Sequence, residues 1–203
     1  MAEKSSKTRN LREACVKEAL AIVAKGGLDA LSLRDVARRL GVSHQAPYKH
    51  FPSREHILAE VVSRAYASFA GHLAKRARSD DPYQDLGHLG QSYLDYARKH
   101  PLHYQLMFST PLPDPAEHPD MMTEARQAFG MLREAIGKLP GRSPNSDVDQ
   151  DAMFAWSVVH GLASIQQTHA AEQVGFGKAT IGKASGYTLA LIGAALGGSK
   201  PKV

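Results

Sequence analysis

Between Ser43 and Phe51 the chain places His44, Gln45, Tyr48, Lys49 and His50 within a few residues of one another, with no acid among them. The next acid, Glu55, lies beyond the turn at Pro52. Imidazole, amide, phenol and ammonium groups in this density suit contact with phosphates and base edges. Two further cations, Arg34 and Arg54, fall in the first turn of expected helices, where a positive charge opposes the helix dipole. A phosphate bound at each helix start would explain both placements. The plain alternative is a solvated helix pair with ordinary surface charge.

The elements that must hold these groups follow from the flanking residues. Ser32 precedes an apolar-periodic run with Asp35 three places on, an N-cap with an acid in the first turn. Val36, Ala37 and Leu40 give one apolar face, and Gly41 supplies the positive φ that ends a helix sharply. Ser43 reads as a second N-cap, with a helix from His44 to Phe51 that Pro52 stops, and Ser53 caps a third. Small Ala37 four places before Gly41 permits the close approach of a helix-turn-helix. Pro47 conflicts with the second helix, because its missing N–H forfeits the first bond of the ladder and Ala46 is nudged from helical angles. A broken local rule of this kind marks a candidate functional position.

The chain of 203 residues is long enough for a small domain joined to a larger one. Residues 1–60 carry 11 Lys or Arg against 7 Asp or Glu, whereas the remaining residues are close to balance with 14 against 13. The positive potential therefore belongs to the segment with the helix-turn-helix, as expected of a nucleic-acid-binding end. The single cysteine, Cys15, excludes an internal disulfide framework and reads as buried filler on the first helix. No run approaches the roughly 18 apolar residues of a membrane helix, and the N-terminus has no apolar core of a secretory signal, so a cytoplasmic location is expected.

In chain order, residues 1–9 with Lys4, Lys7 and Arg9 read as a flexible basic arm or, equally, a solvated tail. Residues 10–55 form the expected DNA-binding part and 56–203 a larger helical body. Helical periodicity continues over about 10–26, 54–78, 80–99, 101–108, 120–139, 148–171 and 178–196, with Pro-rich or polar loops at 109–119 and 140–147. Period-2 runs are missing from the sequence, so an all-α fold is expected. Phe69, Tyr93, Tyr104, Met107, Phe108, Met122 and Phe129 could line an apolar cavity, with Trp156 and His160, i and i+4 on one helix face, supplying its polar groups. The same residues serve equally as filled core. Ten histidines are scattered, and His100 with His103 lacks acids or thiols at ligand spacing, so no metal is expected. No G-x-S-x-G, P-loop or G-x-G-x-x-G is present, so neither an enzyme nor a cofactor is expected.

The stretch GVSHQAPYKHFPSREHILAEV resembles the DNA-reading segment of the TetR family of tetracycline-repressor-like regulators, through its GVS turn, Tyr-x-His-Phe core and Ser-Arg-Glu helix start. Cys15-Val16, Ala19-Leu20, Ile22-Val23 and Gly27 are similar to that family's first helix. AWSVVHG, with Trp156, His160 and Gly161, and HPLHYQLMFS resemble one C-terminal subgroup. The resemblance implies an Ω-shaped homodimer with a three-helix DNA-binding domain, a larger helical ligand-binding domain, and last two helices paired across the dimer.

From chemistry and resemblance together, His44 and Gln45 are expected to read base edges, and Ala46 and Pro47 to meet a thymine methyl. Ser32, Arg34, Tyr48, Lys49, His50 and Arg54 are expected to hold phosphates, around the Ser43 cap. The expected function is a ligand-responsive regulator, a repressor binding a pseudo-palindromic double-stranded operator and released by a small apolar or amphipathic effector. A DNA-organising dimer without effector, and a helical enzyme or carrier domain, are the alternatives.

Overall fold

The computed structural model describes residues 2–108, 111–142 and 146–197. Its regular elements are α1 (Ala2–Gly26), α2 (Leu33–Leu40), α3 (Arg54–Ala74), α4 (Pro82–Lys99), α5 (Pro101–Phe108), α6 (Thr123–Gly137), α7 (Val148–Gln167), α8 (Ala170–Gln173) and α9 (Lys178–Gly197). Short 3-10 turns lie at Leu28–Ala30, Pro47–Lys49 and Pro119–Met122. No strand occurs among the described residues, so the all-α expectation holds. The chain divides into two units, Met1–Tyr66 with Gln105–Glu124, and Ala67–Tyr104 with Ala125–Val203. The division falls inside α3, inside α5 and near the start of α6, and residues 105–124 group with the N-terminal part, unlike the linear boundary expected near residue 55.

In the first unit, α1 buries Cys15, Val16, Ala19, Ile22 and Val23, the face its spacing required. Leu33, Val36 and Ala37 of α2, which packs against α1, are buried with it, as are Ile57, Leu58, Val61 and Val62 of α3. Each such burial contributes roughly 1.5–3 kcal/mol for the larger side chains. Outside this core, the Arg64 guanidinium donates to both oxygens of Glu13 at 2.5 and 2.6 Å, and Arg12 and Arg64 both reach Glu60, joining α1 to α3. Burial works hardest against the Glu60 carboxylate, yet Arg12 and Arg64 together lower its pKa. These pairs are partly exposed, so their value is register more than stability.

In the second unit, α4 packs against α7 and α9, and α7 against α9. Asp81 caps α4 by accepting from the Tyr83 N–H at 2.9 Å, with Pro82 in the first turn. Asp147 caps α7 in the same way through the Asp149 N–H at 2.8 Å. The Arg76 and Asp85 side chains form an ion pair at 3.0 Å with 3 % and 9 % exposure, which fixes the turn between α3 and α4.

Several expected boundaries move. Helix α1 begins at Ala2, so the backbone expected to form an arm is helical, in keeping with a stretch free of Gly and Pro before Gly26. The side chains of residues 1–9, and with them Lys4, Lys7 and Arg9, lie outside the described residues, as do 109–110 and 143–145 of the two loops. Helix α3 stops at Ala74 rather than Arg78, because Arg76 folds back to donate to the Leu73 carbonyl at 3.2 Å. The helix expected over 148–171 breaks at His169, which adopts a left-handed conformation at φ 54°.

Candidate nucleic-acid interface and apolar cavity

Ser32, in extended conformation, accepts from the Asp35 N–H at 3.1 Å and donates its own hydroxyl to Asp35 at 2.8 Å. Arg38 and Ser32 together hold the Asp35 carboxyl below its usual pKa. At the other end Gly41 sits at φ 65°, its N–H reaching Arg38 at 3.3 Å while Val42 N–H reaches the Ala37 carbonyl at 3.1 Å. This is the Schellman closure that turns the chain sharply out of α2.

The following segment corrects the expected helix from His44 to Phe51. Ala46 N–H takes the Ser43 carbonyl at 2.9 Å in a tight turn, and only Pro47–Lys49 is helical, as a 3-10 turn. Its N-cap is Ala46, not Ser43. Pro47 has no N–H to offer the Ser43 carbonyl, so that oxygen is satisfied by the nearer Ala46 N–H, and the tighter turn results. Pro47 itself is buried, so its ring is not presented on the surface for the expected contact with a thymine methyl. His50 and Phe51 N–H groups both close on the Pro47 carbonyl at 2.9 Å, and buried Phe51 anchors the exit beneath Arg12, 5.4 Å from the ring centre.

This geometry gathers Arg34, His44, Gln45 and Tyr48 around one open concavity. Arg34, His44, Gln45, Tyr48 and Lys49 are exposed and make no side-chain hydrogen bond or ion pair among the described residues. Neighbouring Arg38 and Arg39 are instead taken up by Asp35 and Glu18. Arg54 is likewise committed. Its guanidinium donates to the Leu31 carbonyl at 3.0 Å and the Leu28 carbonyl at 2.7 Å, capping the Leu28–Ala30 turn. Two of its five N–H donors are thereby committed inside the chain, which gives Arg54 a positioning role beside the expected phosphate contact. Ser32 is occupied by its cap in the same sense.

The second unit holds an apolar cavity of about 60 Å³ between α3, α4, α6, α7 and α9. Phe69, Tyr93, Phe129 and Trp156 are among the residues lining it. Tyr104 and His160 stand behind that wall. Tyr93 and Tyr104 hydroxyls approach His160 Nδ1 at 2.9 and 2.7 Å, while Trp156 Nε1 donates to the Tyr93 hydroxyl at 3.4 Å. Burial lowers the His160 pKa and raises that of Tyr104, keeping both neutral near pH 7. Phe129 packs edge-on to Trp156 at 4.7 Å, and Tyr104 stacks on His160 at 5.4 Å.

Met107, Phe108 and Met122 are corrected out of this wall, since they belong to the first unit. There the Tyr66 hydroxyl donates to the Met107 carbonyl at 2.9 Å, and the Tyr66 and Phe108 rings meet edge-on. Burial pushes the Tyr66 pKa up to about 12. Lining residues that sequence reasoning missed include Tyr83, Leu86, Leu189 and Ile192. The signal was available in Gly87 and Gly90, small residues three apart on α4 where a neighbouring helix can approach.

Two family models match. The one described as "Bacterial regulatory proteins, tetR family" covers residues 16–61, and "Tetracyclin repressor-like, C-terminal domain" covers 86–180. The chain belongs to the TetR family. Among curated relatives, the HTH-type transcriptional repressor KstR of Mycobacterium tuberculosis is 25% identical over 84% of this chain and 68% of its own length. A structure of a protein with unknown function from Rhodococcus sp. RHA1 aligns with TM-score 0.76 at 20% identity, over 92% of this chain and 95% of that one. A tetR family transcription regulator from Shewanella sp. PV-4 aligns with TM-score 0.68 at 21% identity, over 92% and 97%. At these identities the structural likeness establishes the fold alone. Membership of the TetR family makes the chain a DNA-binding regulator and not an enzyme. No helix among the described residues is long and apolar enough to cross a membrane.

Proposed function

We propose that this TetR-family chain is a ligand-responsive repressor, acting in the cytoplasm as a homodimer on a pseudo-palindromic operator. The observation that carries the reading is the concavity formed by Arg34, His44, Gln45 and Tyr48, exposed polar side chains left without partners in the chain. His44 and Gln45 read base edges, Gln45 being suited to adenine N6/N7, and Ala46 lies beside them to meet a thymine methyl. Arg34, Tyr48, Lys49 and His50 hold phosphates around them, and Ser32, Ser43 and Arg54 act by setting the backbone.

Dimerisation is supported by apolar groups left exposed on α7, α9 and the segment between them. Met153, Phe154, Ile165, Val174, Phe176, Tyr187 and Leu191 are all exposed, and within α9 only Ile192, Leu196 and Gly197 are buried. A surface of this kind calls for a partner. Two reading heads related by a two-fold axis then meet half-sites roughly 34–36 Å or somewhat more apart. The cavity beside Trp156 receives the effector, which favours a dimer unable to hold both half-sites and so shifts the population off DNA. Helix α3 carries Arg54 at one end and Phe69 at the other, the element through which the change is transmitted.

Selection of bound duplexes from a random pool tests the reading. An enriched inverted repeat is the expected result. Binding without enrichment would instead favour a DNA-organising dimer, and no binding would sink the interface.

A further inference from the structure

Resting on the effector reading above, the cavity's chemistry narrows what that effector is. Among the described residues, no Asp, Glu, Lys, Arg or His lines it. Its few polar tips already have partners: the Tyr83 hydroxyl donates to the Pro140 carbonyl, and Trp156 Nε1 and the Tyr93 hydroxyl bond within the corner that His160 closes. His160 is held neutral by burial, so the corner offers no cation. A carboxylate or phosphate entering here would leave water without a counter-charge, whereas an apolar body would leave every existing hydrogen bond intact.

The size of the space adds a second constraint. About 60 Å³ is well below the roughly 150 Å³ of an apolar cavity that takes up benzene. Leu189 of α9 lines it, and its methyl end crowds the place a Cβ would take on Gly90 of α4. That end is the far tip of a flexible, half-buried side chain, able to change rotamer without moving backbone. Gly90 therefore leaves room that Leu189 fills when the cavity holds nothing larger.

We propose that the effector is an uncharged, predominantly hydrocarbon molecule of ring size or larger, admitted by displacement of Leu189 from Gly90. Trp156, the single tryptophan of the chain, stands in the cavity wall and reports occupancy by its emission. The test titrates the full chain with matched pairs sharing one skeleton, cyclohexanol with cyclohexanecarboxylate and octanol with octanoate, at about pH 7.5 where the acids are ionised. Thermal midpoints are recorded alongside emission.

The neutral member of each pair should change Trp156 emission saturably and raise the midpoint, with the carboxylate at least about a hundredfold weaker. In Leu189→Ala, the neutral ligands should bind more tightly, because the space no longer has to be cleared. Carboxylates binding as well as the neutral partners would overturn the assignment of class while leaving an effector in this cavity. Unchanged affinity in Leu189→Ala would overturn the route of entry. If no pair altered emission or midpoint in either chain, the cavity would not be an effector site and the reading it rests on would fall with it.

Discussion

The recognition surface of the first unit and the cavity of the second use their polar groups in opposite ways. Around Gln45, amide, imidazole, phenol and guanidinium groups face solvent without partners in the chain. Around His160, two tyrosine hydroxyls, an indole N–H and an imidazole satisfy one another behind an apolar wall. Water solvates the first set at no cost, so those groups stay available to a polyanion. The second set, partly buried, is satisfied from within the chain. A substitution at the surface should therefore be felt in binding, and one at the cavity in stability.

The largest effect that separates the two is Phe69→Ala. Phe69 is 2 % exposed and packs edge-on against Tyr93 and Tyr96, so unfolding in urea should show a loss of about 3–5 kcal/mol. A loss under about 1 kcal/mol would mean that the wall is not packed as described. Arg54→Ala comes next and sharpens the contrast, since Arg54 lies near the recognition surface but is tied to the chain. Loss of its two bonds to the Leu28 and Leu31 carbonyls should cost about 1.5–3 kcal/mol of stability. The salt dependence of DNA binding should be unchanged if positioning is all it does; a slope smaller by about one would show the phosphate contact as well.

Arg34→Ala should do the reverse, leaving stability within about 0.5 kcal/mol and lowering the salt slope by about one unit. The smallest effect is on pH. Burial depresses the pKa of His72, His103 and His160, with the neighbouring Lys99 and His100 adding to it for His72, and His100 for His103. The unfolded chain then takes up protons first on acidification. The contribution of these groups is complete above about pH 6.5 and is lost as pH falls through their folded values. Thermal midpoints at about pH 7.5 and 5.5 should differ accordingly, and less so in His160→Gln.

What was legible in the sequence was local. Ser32 and Gly41 announced both ends of α2 through cap chemistry that acts within four residues, and the stripe Leu58, Val62, Ala65, Phe69, Leu73 is buried along α3 as its spacing required. Pro47 was recognised as a conflict, but its outcome, a 3-10 turn in place of a helix, depended on which N–H the Ser43 carbonyl would accept. The backbone acceptors of Arg54 lie 23 and 26 residues away, and charge at a helix start says nothing of them. Met107 and Phe108 look no different in sequence from Tyr104. Only the packing of Tyr66 onto the end of α5 assigns them to the first unit, and Leu189 enters the cavity from a helix whose periodicity gave no hint of it.

The central claim is that the exposed, unpartnered groups read sequence. It is tested most directly by measuring Gln45→Ala on the selected operator, on its single-base variants and on a random duplex. The account predicts a loss of about 1–3 kcal/mol on the operator, relaxed discrimination at one base position per half-site, and unchanged affinity for the random duplex. An equal loss on every duplex would contradict it, because Gln45 would then be holding the backbone rather than reading a base.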